Sequence, residues 1–274
     1  MKKPLAIVLN NFGTKSEIFL LQFFKGLLTD YEITIYVLGK IDRLNEYFQF
    51  FKIKSLPKPK SFGFLFFVLK GLNFKIPLKT QFQSYILNLI KEECIYFPFI
   101  GMTRSFSKAL SQKNEKKIYT SIRGTDITIT PYFKPEVLKV YKQLKQHLHK
   151  VHFLSNELQQ VTHEYGIRMN KEMVICQGVD TKRFFFNRNL RTDKLRIVTV
   201  GRLHYVKGLE FAILAAKELK QLGVDFEFII IGNGEQKNKL TFLLKDLGLT
   251  EEVKLVGSKT RTEIIEYLKN HLNH

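Results

Sequence analysis

Apolar and polar residues along the chain alternate between two periods. Leu5 to Leu9 (LAIVL) is an unbroken apolar run ended by Asn-Asn-Phe-Gly, the pattern of a strand buried on both faces and followed by a turn. Phe19, Leu20, Phe23, Phe24 and Leu27 then recur at helical spacing behind Ser16, whose hydroxyl suits an N-cap, and Ile33 to Leu38 returns to strand. This β-α-β start gives way to an irregular, Pro-containing stretch from Ile41 to Lys79. Ile86 to Ile90 reads as helix, and Cys94 to Phe99 and Lys117 to Ile122 read as strands. From Pro135, residues Val137, Leu138, Tyr141, Leu144 and Leu148 line one helix face. Val151 to Leu154 is strand, Glu157 to Tyr165 helix stopped by Gly166, and Met173 to Cys176 strand.

Asn187 to Lys194 (NRNLRTDK) is polar and without period, which makes it the predicted linker and divides the chain into residues 1–188 and 189–274. Beyond it the alternation is regular: strand at Leu195 to Val200, a helix closed by Gly223, strand at Phe226 to Ile231, a helix closed by Gly248, and strand at Val253 to Val256. Thr260 and Glu263 have the spacing of a capping box for a last helix. Strands alternating with helices of this length predict an α/β protein with parallel, doubly wound sheets in both halves. A length of 274 residues also exceeds what one hydrophobic core usually supports.

Composition narrows the class. Disorder and fibrous repeats are excluded by 45% apolar and 25% charged residues with no excess of Gly or Pro. Two cysteines form no disulfide framework, so a reducing compartment is expected. The first apolar run is too short for a secretory signal, and Phe62 to Leu69 is too short to cross a bilayer as a helix. The chain is therefore expected in the cytoplasm. Its formal charge is +19, and the excess is uneven: residues 1–188 carry 30 Lys and Arg against 14 Asp and Glu, the remainder 14 against 11. Lys52, Lys54, Lys58, Lys60, Lys70, Lys75 and Lys79 surround the aromatic run Phe62 to Phe67, a mixture suited to an anionic lipid surface. Core phenylalanines with solvated lysines would give the same pattern. Nucleic acid is a weaker expectation, because no RNA-recognition pattern, paired Cys/His finger or basic heptad helix accompanies the charge.

The chemistry concentrates in Val198 to Leu209 (VTVGRLHYVKGL), where a buried strand ends in Gly201 and Arg202 and Lys207 precede a helix. Two cations and a helix N-terminus at the carboxyl end of a parallel strand make a place for an anionic ligand. The segment resembles the donor-binding motif of the GT-B retaining glycosyltransferases of family 4. In that family G-R-L, a few residues, then K-G carries the Arg and Lys that bind the diphosphate of a nucleotide-sugar. The resemblance implies donor contacts from Arg202 and Lys207, from Gly232 and Gly234 in Ile230 to Gly234 (IIGNG), and from Val256 and Gly257 in VKLVG. Leu154-Ser155 and ICQGVDTKRF, residues 175–184, resemble the family's strand-Ser turn and interdomain junction, with Gln177 in place of Asn. Upstream, Gly13 with Ser16 and Glu17 resembles the loop and helix start that face the reacting sugar, with Ile18 where Thr is usual. SIRGTD, residues 121–126, aligns with a segment often reading H-G-x-D, so Arg123 stands in the place of a His, with Asp126 as its companion. An Arg stays charged and exchanges no proton near neutral pH, which favours positioning over acid-base work.

The resemblance implies two Rossmann-like domains, an acceptor-side domain over 1–188 and a partial donor domain over 189–274, with a nucleotide-sugar donor, a glycan or lipid-linked acceptor in surface-polysaccharide synthesis, and no metal or other cofactor. His147, His149 and His152 offer no metal site, since the first two lie about 200° apart on a helix. Members of the family usually continue beyond this point through a segment that holds an E-x7-E carboxylate motif, and here only three strands follow the linker before His274. The sequence therefore predicts a truncated or split enzyme with Leu195 to Val200 left as an apolar sheet edge, inactive on its own or completed by a separate carboxy-terminal polypeptide. A non-catalytic remnant or subunit and a basic nucleic-acid-binding protein are the alternatives.

Overall fold

The computed structural model describes residues 2–14, 18–58, 77–112, 115–178, 181 and 194–272. The chain divides into two compact units, residues 1–177 and 178–274. The predicted linker, apart from Lys194, lies outside the described residues, as do Ser16, Glu17 and the Phe62 to Phe67 run.

The first unit is built on a seven-stranded parallel sheet: β1 (Lys3–Leu9), β2 (Tyr31–Val37), β3 (Lys52–Ser55), β4 (Cys94–Phe97), β5 (Lys117–Ile122), β6 (Lys150–Phe153) and β7 (Glu172–Val174), in the spatial order β3-β2-β1-β4-β5-β6-β7. The unbroken apolar run of β1 follows from burial on both faces. Ala6 and Val8 join one core with Ile95, Phe97 and Ile118, while Leu5, Ile7 and Leu9 join the other with Phe24, Ile33 and Ile35. Helix Ile18–Leu27 covers the second core through Leu20, Leu21 and Phe24.

Two stretches depart from the pattern reading. Within the stretch predicted as irregular, Lys52–Ser55 pairs in parallel with β2 from Thr34 to Val37. KIKS is too short to show a period, and as an edge strand it keeps lysines that discourage pairing with other chains. The helix predicted from Pro135 to Leu148 ends at Leu144 and tightens into a 3-10 turn, Lys145–His147, so His149 is not on the helix at all. Short helices Ile100–Ser105 and Ser107–Leu110 after β4, and Thr125–Thr128 and Thr130–Phe133 after β5, fill connections that carried no periodic signal.

The helix before β7, Asn156–Glu164, starts at a Ser155 cap that accepts from the Leu158 amide at 3.2 Å, and Gly166 adopts φ 69° beyond its end. Glu172 ties this helix to β7, accepting from Met169 N and Gln159 Nε2, both at 2.6 Å, and pairing with His163 at 2.9 Å. Burial alone would raise the Glu172 carboxyl, but these donors outweigh it and hold it below the ordinary 4.5. A lowered native value means the contribution is present above the unfolded value and lost as pH falls through the native one. Urea unfolding midpoints should therefore drop below about pH 4.5 more steeply in the parent than in Glu172→Gln, which should itself be less stable at pH 7. Parallel pH curves would reject this.

The second unit is a three-stranded parallel sheet of β8 (Leu195–Val200), β9 (Phe226–Ile231) and β10 (Val253–Gly257), ordered β10-β9-β8. Helices Leu209–Gln221 and Lys237–Asp246 pack Ile213, Ala216, Leu240 and Leu244 against Phe226, Phe228 and Ile230. The capping box forms as predicted: Thr260 N donates to Glu263 Oε2 at 2.7 Å and Glu263 N to Thr260 Oγ1 at 3.3 Å, at the start of helix Arg261–Leu272, which runs against β8. Among the described residues β8 pairs with a strand on one side only; Leu195 and Val200 at its ends are exposed, 46% and 48%, and the residues between them are half-buried.

Candidate functional site

In the second unit the strand ends converge. Gly201 N donates to Ile231 O at 3.0 Å, Leu203 N to Asn233 O at 3.0 Å, Gln236 N to Leu203 O at 3.0 Å and Gly232 N to Gly257 O at 2.9 Å. These bonds stitch together the turns that leave β8, β9 and β10. They also show why the turns are glycine-rich. A Cβ on Gly232 would stand 1.8 Å from Gly201 O, and one on Gly234 would stand 2.3 Å from Leu203 O. Both glycines thus permit backbone to lie on backbone, whatever they also offer a ligand.

Arg202 and Lys207 stand on this stitched rim. Both are exposed, and among the described residues neither pairs with a carboxylate. The aliphatic stem of Lys207 lies 3.9 Å from where a Gly201 Cβ would be, so the ammonium is carried across the end of β8 on a bare glycine floor. A 3-10 turn, Tyr205–Lys207, provides the placement, capped by His204 Nδ1 accepting from Val206 N at 3.3 Å. Gly208 then takes φ 59° and opens the helix Leu209–Gln221. Leu203 between the cations is buried, which anchors the loop and leaves the charges of Arg202 and Lys207 at the surface. Val256 and Gly257 close β10 beside the same turns, with Gly257 at φ 77°.

In the first unit Gly13 lines an open cavity of about 620 Å³ at the carboxyl ends of β1 and β2, together with Asn11, Thr14, Lys40 and Asp42. Its φ of 85° reserves the place for glycine, and so does the lack of room: a Cβ here would stand 2.8 Å from Asp42 Cβ. Arg123 lies elsewhere on the sheet, just past β5. Its Nε donates to Pro98 O at 2.9 Å and its Nη2 to Tyr96 Oη at 3.3 Å. The rings of Phe19 and Phe99 stand 5.6 and 5.9 Å from its guanidinium carbon. Asp126 is mostly buried, and burial raises its carboxyl above the ordinary value against the opposing pull of the Arg123 and Gly101 amides and of Arg104 and Arg123. Its Oδ2 accepts from Arg123 N at 3.4 Å, so it shapes the loop.

Three side chains to which the sequence pattern gave no role at the site stand behind Arg123. Tyr96, Ser121 and His152 come from adjacent strands β4, β5 and β6, with Ser121 directly opposite His152 in the ladder. Tyr96 Oη lies 2.6 Å from Ser121 Oγ, Ser121 Oγ 2.9 Å from His152 Nδ1, and His152 Nε2 2.8 Å from Ile175 O. The available signal was a Ser and a His at interior positions of otherwise apolar strands.

Residues 180–272 match the family of glycosyl transferases group 1. Over 183 residues the chain is 31% identical to the amylovoran biosynthesis glycosyltransferase AmsK of Erwinia amylovora, covering 64% of this chain and 42% of that protein. The chain thus spans less than half of that relative's length. Its fold is similar to that of Anabaena Alr3699/HepE, solved in complex with UDP and glucose, at a TM-score of 0.68 and 16% identity over 98% of this chain and 72% of the other. The lipopolysaccharide outer core galactosyltransferase WaaB, in its apo form, matches at a TM-score of 0.61 and 15% identity over 98% and 71%. Residues 180–272 thus carry a glycosyl transferases group 1 domain, and the chain is similar in sequence to glycosyltransferases such as AmsK and has the GT-B fold of the solved structures.

Proposed function

We propose that this chain acts in transferring a sugar from a nucleotide-sugar to a glycan or lipid-linked acceptor in surface-polysaccharide synthesis. The observation that carries the reading is the pair Arg202 and Lys207, held without carboxylate partners among the described residues on the stitched turns at the end of β8. In the proposed reaction the bond from the anomeric carbon to the diphosphate breaks, the diphosphate leaves with the electron pair, and an acceptor hydroxyl forms the new bond and releases its proton. Arg202 and Lys207 counter the charge that develops on the departing diphosphate, so the site as read needs no metal. AmsK is an amylovoran biosynthesis glycosyltransferase by name, and HepE was crystallised with UDP and glucose, both of which support this reading. Among the described residues β8 pairs with a strand on one side only, which supports a further strand pairing there, the place a complementing polypeptide would take. Titration calorimetry with UDP tests the donor site, and release of UDP from UDP-sugars in the presence of glycan primers tests transfer. No heat of binding with UDP, or with any other nucleoside diphosphate, would reject the proposal.

We also read the first unit as the membrane-facing part. No helix among the described residues is long and apolar enough to cross a bilayer, and Lys52, Lys58 and Lys79 are exposed. Each Lys near an anionic surface adds about 1 kcal/mol, so a few acting together give reversible attachment. Sedimentation with phosphatidylserine vesicles should exceed that with phosphatidylcholine vesicles at low salt and should fall when the three lysines become glutamines. Equal sedimentation with both lipids would remove the membrane from the proposal.

A further inference from the structure

The guanidinium of Arg123 is held by four neighbours. Its lateral edge is used by Pro98 O and Tyr96 Oη, and it lies over the rings of Phe19 and Phe99. Those partners are a carbonyl, a phenol and two hydrocarbon rings, none of which carries negative charge. Asp126, the nearby carboxylate, accepts from the Arg123 main-chain amide, and no bond from it reaches the guanidinium. A structural arginine in a half-buried place is ordinarily matched by a carboxylate, because an unpaired charge there is costly. Here the charge is fixed in orientation and makes no ion pair among the described residues, Asp126 acting on it only through space, with the end edge, Nη1 and Nη2, still able to donate. That edge has the geometry for two parallel bonds to a planar or tetrahedral oxyanion.

The polar chain behind Tyr96 explains how the edge is aimed. Ile175 O can only accept, so His152 Nε2 carries the proton, and burial together with the charge of Arg123 favours the neutral imidazole. Nδ1 is then bare and Ser121 donates to it. Ser121 in turn accepts from the Tyr96 hydroxyl, which leaves a Tyr96 lone pair facing Arg123. Every donor points away from Arg123, so one backbone carbonyl at the end of β7 sets the direction of the whole series. Ser121 is fully buried and Tyr96 nearly so, and water competes little for these bonds.

We propose that Arg123 binds an oxyanion of the acceptor, a sugar carboxylate or a phosphate, and that Tyr96, Ser121 and His152 are positioning residues that align its guanidinium for it. This deepens the glycosyltransferase reading above and rests on it for the word acceptor; the anion site itself does not. It makes the chain selective for an acidic acceptor, either a uronate-containing glycan or a phosphorylated one.

The test uses the full chain, labelled with ¹⁵N, and follows the arginine Nε–Hε resonances. The Arg123 signal is the one absent from Arg123→Lys. Titration with methyl glucuronide, with the 6-phosphate of methyl glucoside and with neutral methyl glucoside should shift that signal for at least one anionic compound and not for the neutral one. A response to the glucuronide points to a uronate acceptor and one to the phosphate points to a phosphorylated acceptor. Arg123→Gln should abolish anion binding detected through neighbouring amides, and Tyr96→Phe, which keeps the buried ring, should weaken it about tenfold while leaving UDP affinity unchanged. An equal shift with the neutral glycoside, no shift with either anion, or unaltered anion binding in both Arg123→Gln and Tyr96→Phe would overturn the proposal. UDP titrated in the same samples separates the two readings: loss of UDP binding in the parent chain counts against the glycosyltransferase, and loss of anion response with UDP binding intact counts against Arg123 alone.

Discussion

Alanine at both Arg202 and Lys207 is expected to reduce affinity for UDP by two orders of magnitude or more. Each side chain supplies a charge-assisted contact to the diphosphate worth about 1.5 to 3 kcal/mol, and about 1.4 kcal/mol is a factor of ten. The two charges converge on one ligand, so their losses should not be independent, and the double variant should fall short of the sum of the singles. Folding should be little affected, because both side chains are exposed and make no ion pair among the described residues. Titration calorimetry with UDP, beside uridine as the uncharged comparison, measures the effect. Uridine affinity should stay nearly constant across the variants. Unchanged UDP affinity in the double variant would move the donor site away from the end of β8.

The second large effect is structural. Gly232→Ala should destabilise the carboxy-terminal unit by about 3 kcal/mol or more, since its Cβ would stand 1.8 Å from Gly201 O and the obstacle is backbone, which cannot rotate aside. To make room, the turns after β8 and β9 must separate. That movement breaks Gly201 N to Ile231 O and Leu203 N to Asn233 O, and with them the placement of Arg202 and Lys207. UDP binding should therefore decline together with stability. Gly26→Ala is the matched control: nothing lies within 4 Å of its Cβ position, it sits inside helix Ile18–Leu27, and alanine there should be neutral or stabilising by up to about 1 kcal/mol. Urea unfolding followed by far-ultraviolet circular dichroism compares the two. A Gly232→Ala chain as stable as the parent would show that the two turns do not meet as closely as the structure has them.

Much of the fold was legible in the chain because neighbouring residues carry the signal. The run LAIVL in β1, the helical face of Leu209, Ile213 and Ala216, the φ-permissive Gly166, Gly223 and Gly248 after helices, and the Thr260–Glu263 box are each set within a few residues. Strand β3 escaped because a few alternating residues at a sheet edge have too little burial to impose a period. Arg202 and Lys207 were legible for a different reason: their spacing from a strand end and a helix start fixes their placement before any long-range contact forms. Gly232 and Gly234 were read as ligand contacts, and the structure gives them a packing reason as well, the close approach of turns that lie far apart in sequence, which no local window contains.

The sequence by itself therefore determined the alternation of strands and helices, the uneven positive charge and the cationic turn after β8. Tertiary structure alone decided the order β3-β2-β1-β4-β5-β6-β7 and what that order brings side by side. Tyr96, Ser121 and His152 are separated by 25 and 31 residues along the chain, and become a continuous hydrogen-bonded series only because β4, β5 and β6 are neighbours in register. The physical reason is that a local pattern records which face of an element is buried, whereas the partner across a sheet is set by the crossover connections and the packing of distant helices, where the free energy belongs to the assembled layers and to no single segment.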